Sequence, residues 1–332
     1  MRNGNFQNII ENTSKSVSHG KLSPRITMLT QSVILRKSYE QISLWLNQGK
    51  VYEKRGLFEK AKWSYIKSRK LARGIGDKHL SNRARIQEGR MYISLGDLVL
   101  GIKLLKKLIA EIQTPREKPS LAMALNAVGY GYRVIGNKKL AHRYIDMASE
   151  LYKRKSDISD KIKLAILHNK AGLLRELSDY DAALKIYLSL VKQIDKDDVF
   201  FRARLFNNIG FIFRKQGQYQ KARTYYMKAY KLERAVDARQ LQARTLNNLG
   251  GVFRMEGELT KALKYFTQSI YIRKQLRDRM GLSSSLLNKG IVLKQMGKKK
   301  DGKKYLIQSY RIRKQSGSKH LLKEVLTELQ NS

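Results

Sequence analysis

Residues 205–232, LFNNIGFIFRKQGQYQKARTYYMKAYKL, decide the fold, because residues 246–272, LNNLGGVFRMEGELTKALKYFTQSIYI, obey the same grammar. Each stretch holds an Asn pair, a Gly, an aromatic three residues later, a second Gly at seven and an Ala five beyond that. Gly210, Gly217 and Ala222 register on Gly250, Gly257 and Ala262 at an offset of 40 residues. Extended both ways, the first position recurs at Gly49, Gly89, Gly129, Ala171, Gly210, Gly250 and Gly290, with spacings of 40, 40, 42, 39, 40 and 40. A fixed period of this length marks a stacked array in which each unit contacts its neighbours.

Seven residues after each marker stands a turn position, held by Gly56, Gly96, Gly136, Ser178, Gly217, Gly257 and Gly297. A residue tolerant of positive φ can end one helix there and reverse the chain. Five further on, Ala61, Gly101, Ala141, Ala183, Ala222, Ala262 and Gly302 are small enough to let two helices of a hairpin approach. Apolar residues recur at helical spacing on both sides of the turn, as in Leu205, Ile209 and Ile212, then Tyr219, Ala222, Tyr226 and Ala229. Each unit therefore reads as two antiparallel amphipathic helices that bury their faces by stacking on the next pair.

These residues resemble the tetratricopeptide repeat family, in the subclass with units of about 40 residues that includes kinesin light chain, the spindle-orientation adaptor LGN and bacterial peptide-sensing regulators. Trp45, Gly49, Tyr52, Ala61 and Tyr65 sit at the family's signature positions, and Ile75–Asp77 resembles the loop of this subclass. The resemblance covers about residues 40–315 and implies an all-α fold: a right-handed α-solenoid of about seven helix-turn-helix repeats with a C-terminal capping helix. Unit four departs from the pattern, with Ala171 and Ser178 replacing both Gly. The expected divisions are a flexible N-terminal arm at 1–23, the solenoid at 24–319, and a capping helix with tail at 320–332. A helical pattern from Pro24, with Ile26, Leu29, Val33 and Ile34 on one side, is expected to cap the array at its start. Residues 114–120, TPREKPS, lengthen the joint between units two and three.

Lys and Arg number 68 against 27 acids, a formal charge of +41, which draws the chain toward acidic proteins, nucleic acid or an anionic surface. With no Cys there is no disulfide, thiolate metal site or Cys nucleophile. No apolar run approaches the roughly 20 residues of a membrane span, so the reading is a soluble, cytoplasmic protein. Organellar import is the lesser alternative, resting on six basic residues against Glu11 alone in the first 39.

With the small and apolar columns in the core, the remaining face of each first helix lines a groove. Six residues before the marker stand Arg83, Arg204 and Arg244; two before it stand Asn47, Asn169, Asn208, Asn248 and Asn288; four after it stand Arg133, Arg175, Arg214, Arg254 and Lys294. Asn126, His168, Asn207 and Asn247 lie three before it. A carboxamide offers both donor and acceptor and can pair with the backbone of an extended peptide whatever its sequence; the resemblance implies the same use for these Asn. Flanking cations would select acidic side chains. The competing reading is that the Asn bridge neighbouring helices and the Arg are a solvated face. Near the C-terminus, Lys298, Lys299, Lys300, Arg311, Arg313 and Lys314 are candidate phosphate contacts.

No phosphate loop, paired-His zinc helix or Gly-x-Ser-x-Gly elbow is present, and the carboxylates show no pairing suited to acid and base work. The expectation is a non-enzymatic scaffold without cofactor or metal, whose basic, Asn-lined groove binds an acidic extended segment of a partner protein. The alternative is an RNA- or DNA-binding solenoid using the same surface, and a peptide-sensing regulator is a third reading. The oligomeric state is left open.

Overall fold

The computed structural model describes residues 24–112, 114–153, 158–315 and 319–330. The arm expected at 1–23 lies outside them. Among the described residues there are helices and no strands. In chain order they are α1 (Pro24–Lys54), α2 (Phe58–Gly74), α3 (Lys78–Leu95), α4 (Leu98–Glu111), a 3-10 turn (Pro115–Glu117), α5 (Lys118–Ile135), α6 (Lys138–Lys153), α7 (Asp160–Glu176), α8 (Tyr180–Gln193), α9 (Val199–Lys215), α10 (Tyr219–Ala235), α11 (Arg239–Met255), α12 (Leu259–Gln275), α13 (Arg279–Gln295), α14 (Lys299–Gln315) and α15 (Lys319–Gln330). The TPREKPS joint is the 3-10 turn running into α5. No described helix is long and apolar enough to cross a membrane.

The hairpin turns form as the marker spacing requires. Gly56, Gly96, Gly136, Gly217, Gly257 and Gly297 all have positive φ, and Ser178 adopts φ 65° in the unit that lacks the Gly. The backbone therefore holds unit four to the common geometry and places a non-Gly residue where only Gly is unstrained. A second left-handed position, absent from the expected pattern, closes the loop between units at Gly76, Asp237 and Arg277. An acid then caps the next helix in several units: Asp77 accepts from the Leu80 amide at 2.9 Å and Asp278 from the Gly281 amide at 2.9 Å.

Two compact units divide the chain, the first running to Ile162 and the second from Lys163 on, with Lys54–Gly56 grouped with the second. In the first, Ile42, Leu46, Ala61, Tyr65, Ala72, Ala84 and Met91 make one core, and Ile86, Ile102, Leu105, Leu108, Ala124 and Val128 make the next. Helix α1 is a single 31-residue helix, so the segment expected to cap the array at its start is continuous with the first repeat helix; Val33, expected on its apolar side, is half exposed. In the second unit Ala171, Tyr187, Leu205, Ile209 and Ile212 make a core that passes to Ala222, Tyr226, Leu249 and Val252, then to Phe253, Ala262, Phe266 and Val292. Each cluster joins one hairpin to the first helix of the next, which is how a stack buries faces that one pair cannot. Helix α15 closes the second unit by burying Val325 against Leu287 and Leu306.

Candidate functional site

The Asn column of the second unit is a ladder between successive first helices. Asn288 Nδ2 donates to Asn247 Oδ1 at 3.1 Å, and Asn248 Nδ2 donates to Asn207 Oδ1 at 3.2 Å. One unit earlier, Asn208 Nδ2 lies 3.2 Å from His168 Nε2. The rule is the same each time: the residue two before one marker bonds the residue three before the previous one. Hydroxyls five before the marker brace the rungs, with Asn207 Nδ2 donating to Thr245 Oγ1 at 2.6 Å and Ser285 Oγ donating to Asn247 Oδ1 at 3.0 Å. Each such bond contributes roughly 1 kcal/mol.

This arrangement corrects part of the expected groove. Asn207 is only 4% exposed, and Asn126 and His168 are also buried, so these three serve the stack and offer no open surface. His168 packs edge-on against Tyr187, its centroid 5.8 Å away. Asn169, Asn208, Asn247, Asn248 and Asn288 stay half-buried. Asn248 and Asn288 give one Nδ2 hydrogen to the ladder, and their Oδ1 atoms accept no hydrogen bond among the described residues.

The ladder continues inward to a residue that the sequence reading passed over. Thr245 Oγ1 donates to Glu233 Oε1 at 2.9 Å, while Glu233 Oε2 has no hydrogen-bond partner among the described residues and the side chain is fully buried. Burial pushes this carboxyl up to about 7, with the Thr245 bond and the Arg244 charge opposing. At the same place in the next two units stand Arg273 and Arg313, both buried. The signal lay in a polar column at a 40-residue spacing, in a position that Ala72 and Ile194 fill with apolar side chains elsewhere.

Among the cations four after the marker, Arg133 lies over Tyr130 at 5.2 Å in the first unit. In the second, Arg175 and Arg214 both lie on the Phe211 ring, at 4.9 and 5.3 Å to its centre. Arg175 also donates to Asn208 Oδ1 at 2.9 Å and approaches Glu176 Oε1 at 3.4 Å. Arg254 has no hydrogen bond or ion pair among the described residues, and its Nε is buried. Arg83, Arg204 and Arg244 are exposed. The column does not extend evenly into the first unit, where the equivalent residue is Glu53, bonded by Arg90 at 2.7 Å and by the Tyr65 hydroxyl at 3.2 Å.

Two expected contacts are used internally. Lys294, expected in the groove, donates to the Glu328 carbonyl at 2.8 Å and ties down α15. Arg313, expected to meet phosphate, is 2% exposed and donates to Glu324 Oε2 at 2.8 Å. Lys298, Lys299, Lys300, Arg311 and Lys314 remain exposed. The pair is asymmetric, since Glu324 is 56% exposed. Glu324→Gln should lower stability by about 2 kcal/mol because it removes the carboxylate charge facing a buried guanidinium, whereas Arg313→Met, which frees a solvated carboxylate and gives up a long 3.4 Å bond to Ser283 Oγ, should cost less. Urea titration of the two variants checks the order.

The tetratricopeptide repeat profile matches residues 162–235, 201–275 and 241–315. These are tetratricopeptide repeats. No curated protein matches in sequence. Among solved structures, the tetratricopeptide fold of this chain is similar to NprR in complex with its cognate peptide NprX, at 16% identity and TM-score 0.64 over 89% of this chain and 83% of that one. It is similar to a signal-transduction ATPase with a tetratricopeptide sensor from Pyrococcus horikoshii, at 16% identity and TM-score 0.61 over 87% of this chain and 47% of that one. It is also similar to a Rap protein complexed with competence and sporulation factor, at 15% identity and TM-score 0.55 over 88% and 97%. Likeness at this identity concerns the repeat fold.

Proposed function

We propose that the chain is a binding scaffold whose second unit takes an acidic, extended segment of a partner protein along the first helices α7, α9, α11 and α13. The observation that carries this reading is the series of guanidiniums Arg175, Arg214 and Arg254, of which Arg175 is paired with Glu176 and Arg254 has no hydrogen bond or ion pair among the described residues. Arg204 and Arg244 add charge at the exposed edge of the same helices. The Oδ1 atoms of Asn248 and Asn288 can accept backbone amides of such a segment, with the ladder holding each carboxamide in orientation. NprR, whose similar fold is solved in complex with its cognate peptide NprX, supports a peptide as the ligand class.

The test is fluorescence anisotropy with a panel of labelled 12-residue peptides graded in Asp and Glu content. Affinity should rise with acidic content, and Arg214→Glu with Arg254→Glu should weaken the best binder by at least about 100-fold while helicity by circular dichroism is unchanged, since charge-assisted contacts contribute about 1.5–3 kcal/mol each. Binding that survives the double reversal overturns the reading. A single-stranded RNA in place of the peptide covers the other anionic class: tight RNA binding with no acidic-peptide binding would assign the surface to phosphates, with affinity falling about 10³–10⁵ between 50 and 200 mM salt if 6–10 are contacted.

A further inference from the structure

In every repeat after the first, two columns of the first helix are buried. Five before the marker stand Ala84, Ala124, Ile166, Leu205, Thr245 and Ser285, and two after it stand Met91, Gly131, Leu173, Ile212, Val252 and Val292, none of them open to solvent. Ser285 shows what covers the first column, since its Oγ lies 2.9 Å from Ser269 Oγ on the preceding second helix. Unit one holds Leu44 and Val51 at these two places, and they are 60% and 46% exposed.

The reason lies in the chain just before. The first helices α9, α11 and α13 have 17 residues each and follow a turn from the previous second helix. Helix α1 has 31, so residues 24–37 run straight on along its axis where the other units fold back. The face that a preceding hairpin would cover stays apolar all the same, although the end of a solenoid needs a polar outer face to remain soluble.

That face extends along the helix. Val33, Lys37, Glu40, Leu44, Asn47 and Val51 are all exposed and are spaced by 4, 3, 4, 3 and 4 residues, the alternation of a coiled-coil seam, on a stripe about 80° wide. Their order is self-complementary. Laid antiparallel on a second copy so that opposed residue numbers sum to 77, Val33 meets Leu44 and Lys37 meets Glu40, each twice. The same register sets Asn47 and Val51 opposite positions that the sequence fills with Thr30 and Ile26. A parallel pairing would instead set Lys37 on Lys37 and Glu40 on Glu40. Glu40 also meets Arg36 of its own helix at 3.2 Å, in an ion pair exposed enough for a second cation to join it.

We propose that α1 is a self-association surface: two copies of this chain pair through antiparallel α1 helices, about a two-fold axis level with residues 38 and 39. A contact of this symmetry joins residue i to j and j to i, which is what the register requires, and it closes at two chains. The pairing stands independently of the peptide-binding reading.

The test is sedimentation velocity on the full chain across about 1–100 µM, bracketing the micromolar affinity expected of a seam that is only half apolar. Monomer should give way to dimer as concentration rises. Leu44→Asp sets a charge opposite Val33 at both ends of the seam and should weaken pairing at least about 100-fold. Because Leu44 is exposed in the single chain, circular dichroism of this variant should be unchanged. Lys37→Glu and Glu40→Lys each oppose like charges at both central contacts and should weaken pairing about 10-fold or more. Combining the two changes in one chain restores opposite charges and should bring the dimer back, as should an equimolar mixture of the two single variants. A dimer that survives Leu44→Asp, or that ignores the charge variants, overturns the proposal. A wild-type chain that stays monomeric also overturns it, and leaves the face to residues 1–23 or to another protein.

Discussion

Replacing Glu233 by Gln makes the protein more stable at pH 8 and removes most of its stability change between pH 4.5 and 7. The carboxyl is buried with one oxygen lacking a hydrogen bond among the described residues, and burial lifts it from 4.5 to about 7. Because the folded pKa is the higher one, the unfolded chain releases this proton first as pH rises. Stability attributable to Glu233 is therefore whole below about pH 4.5, falls by about 1.4 kcal/mol per unit, and is lost by about pH 7, a total near 3 kcal/mol. Gln keeps an oxygen for the Thr245 hydroxyl and cannot ionise. Its amide hydrogens have no evident acceptor and offset roughly 1 kcal/mol, leaving a net gain of about 2 kcal/mol at pH 8. Urea titrations of both proteins at pH 4.5, 6 and 8 read the slope directly; parallel pH profiles would show that Glu233 ionises normally in the fold.

Gly250→Val should cost about 3 kcal/mol, and Gly251→Ala, one residue away, should be neutral or stabilising. A Cβ on Gly250 would lie 2.8 Å from the Phe266 ring, which is fully buried and has nowhere to go; two further methyls worsen the overlap. At Gly251 the sole atom within 4 Å of an added Cβ is Arg214 Nη1, at 3.8 Å. Ala there gains up to about 1 kcal/mol of helix propensity over Gly. Differential scanning calorimetry of the two variants should show midpoints displaced in opposite directions or, at least, by very different amounts. Equal losses would mean that the hairpin is not held together by this ring-on-glycine contact.

The opposite roles of these neighbours were legible in advance, because Gly250 belongs to the column that recurs every 40 residues and Gly251 does not. Helix pairing, turn positions and the small-residue contact were equally legible, for a hairpin that buries one stripe and turns at one place writes its geometry into a fixed period. The Asn ladder was half legible. Its recurrence announced a shared role, but Asn207 and Asn208 are adjacent in the chain, and no spacing says that one is buried against Thr245 while the other faces Arg175. Lys294 and Arg313 were misread for a related reason: a cation in a basic chain looks solvated until the C-terminal helix is docked over it.

The sequence by itself determined the all-α class, the repeat length, the hairpin turns and the excess of cations along the first helices. These follow from local periodicity and composition, which one chain expresses without reference to its neighbours in space. The tertiary structure alone decided which of the polar columns are consumed inside the stack and which stay open. That depends on how far each helix is rotated when it packs on the next repeat, and a rotation of one residue, about 100° on a helix, separates a buried rung such as Asn207 from the half-exposed Asn208.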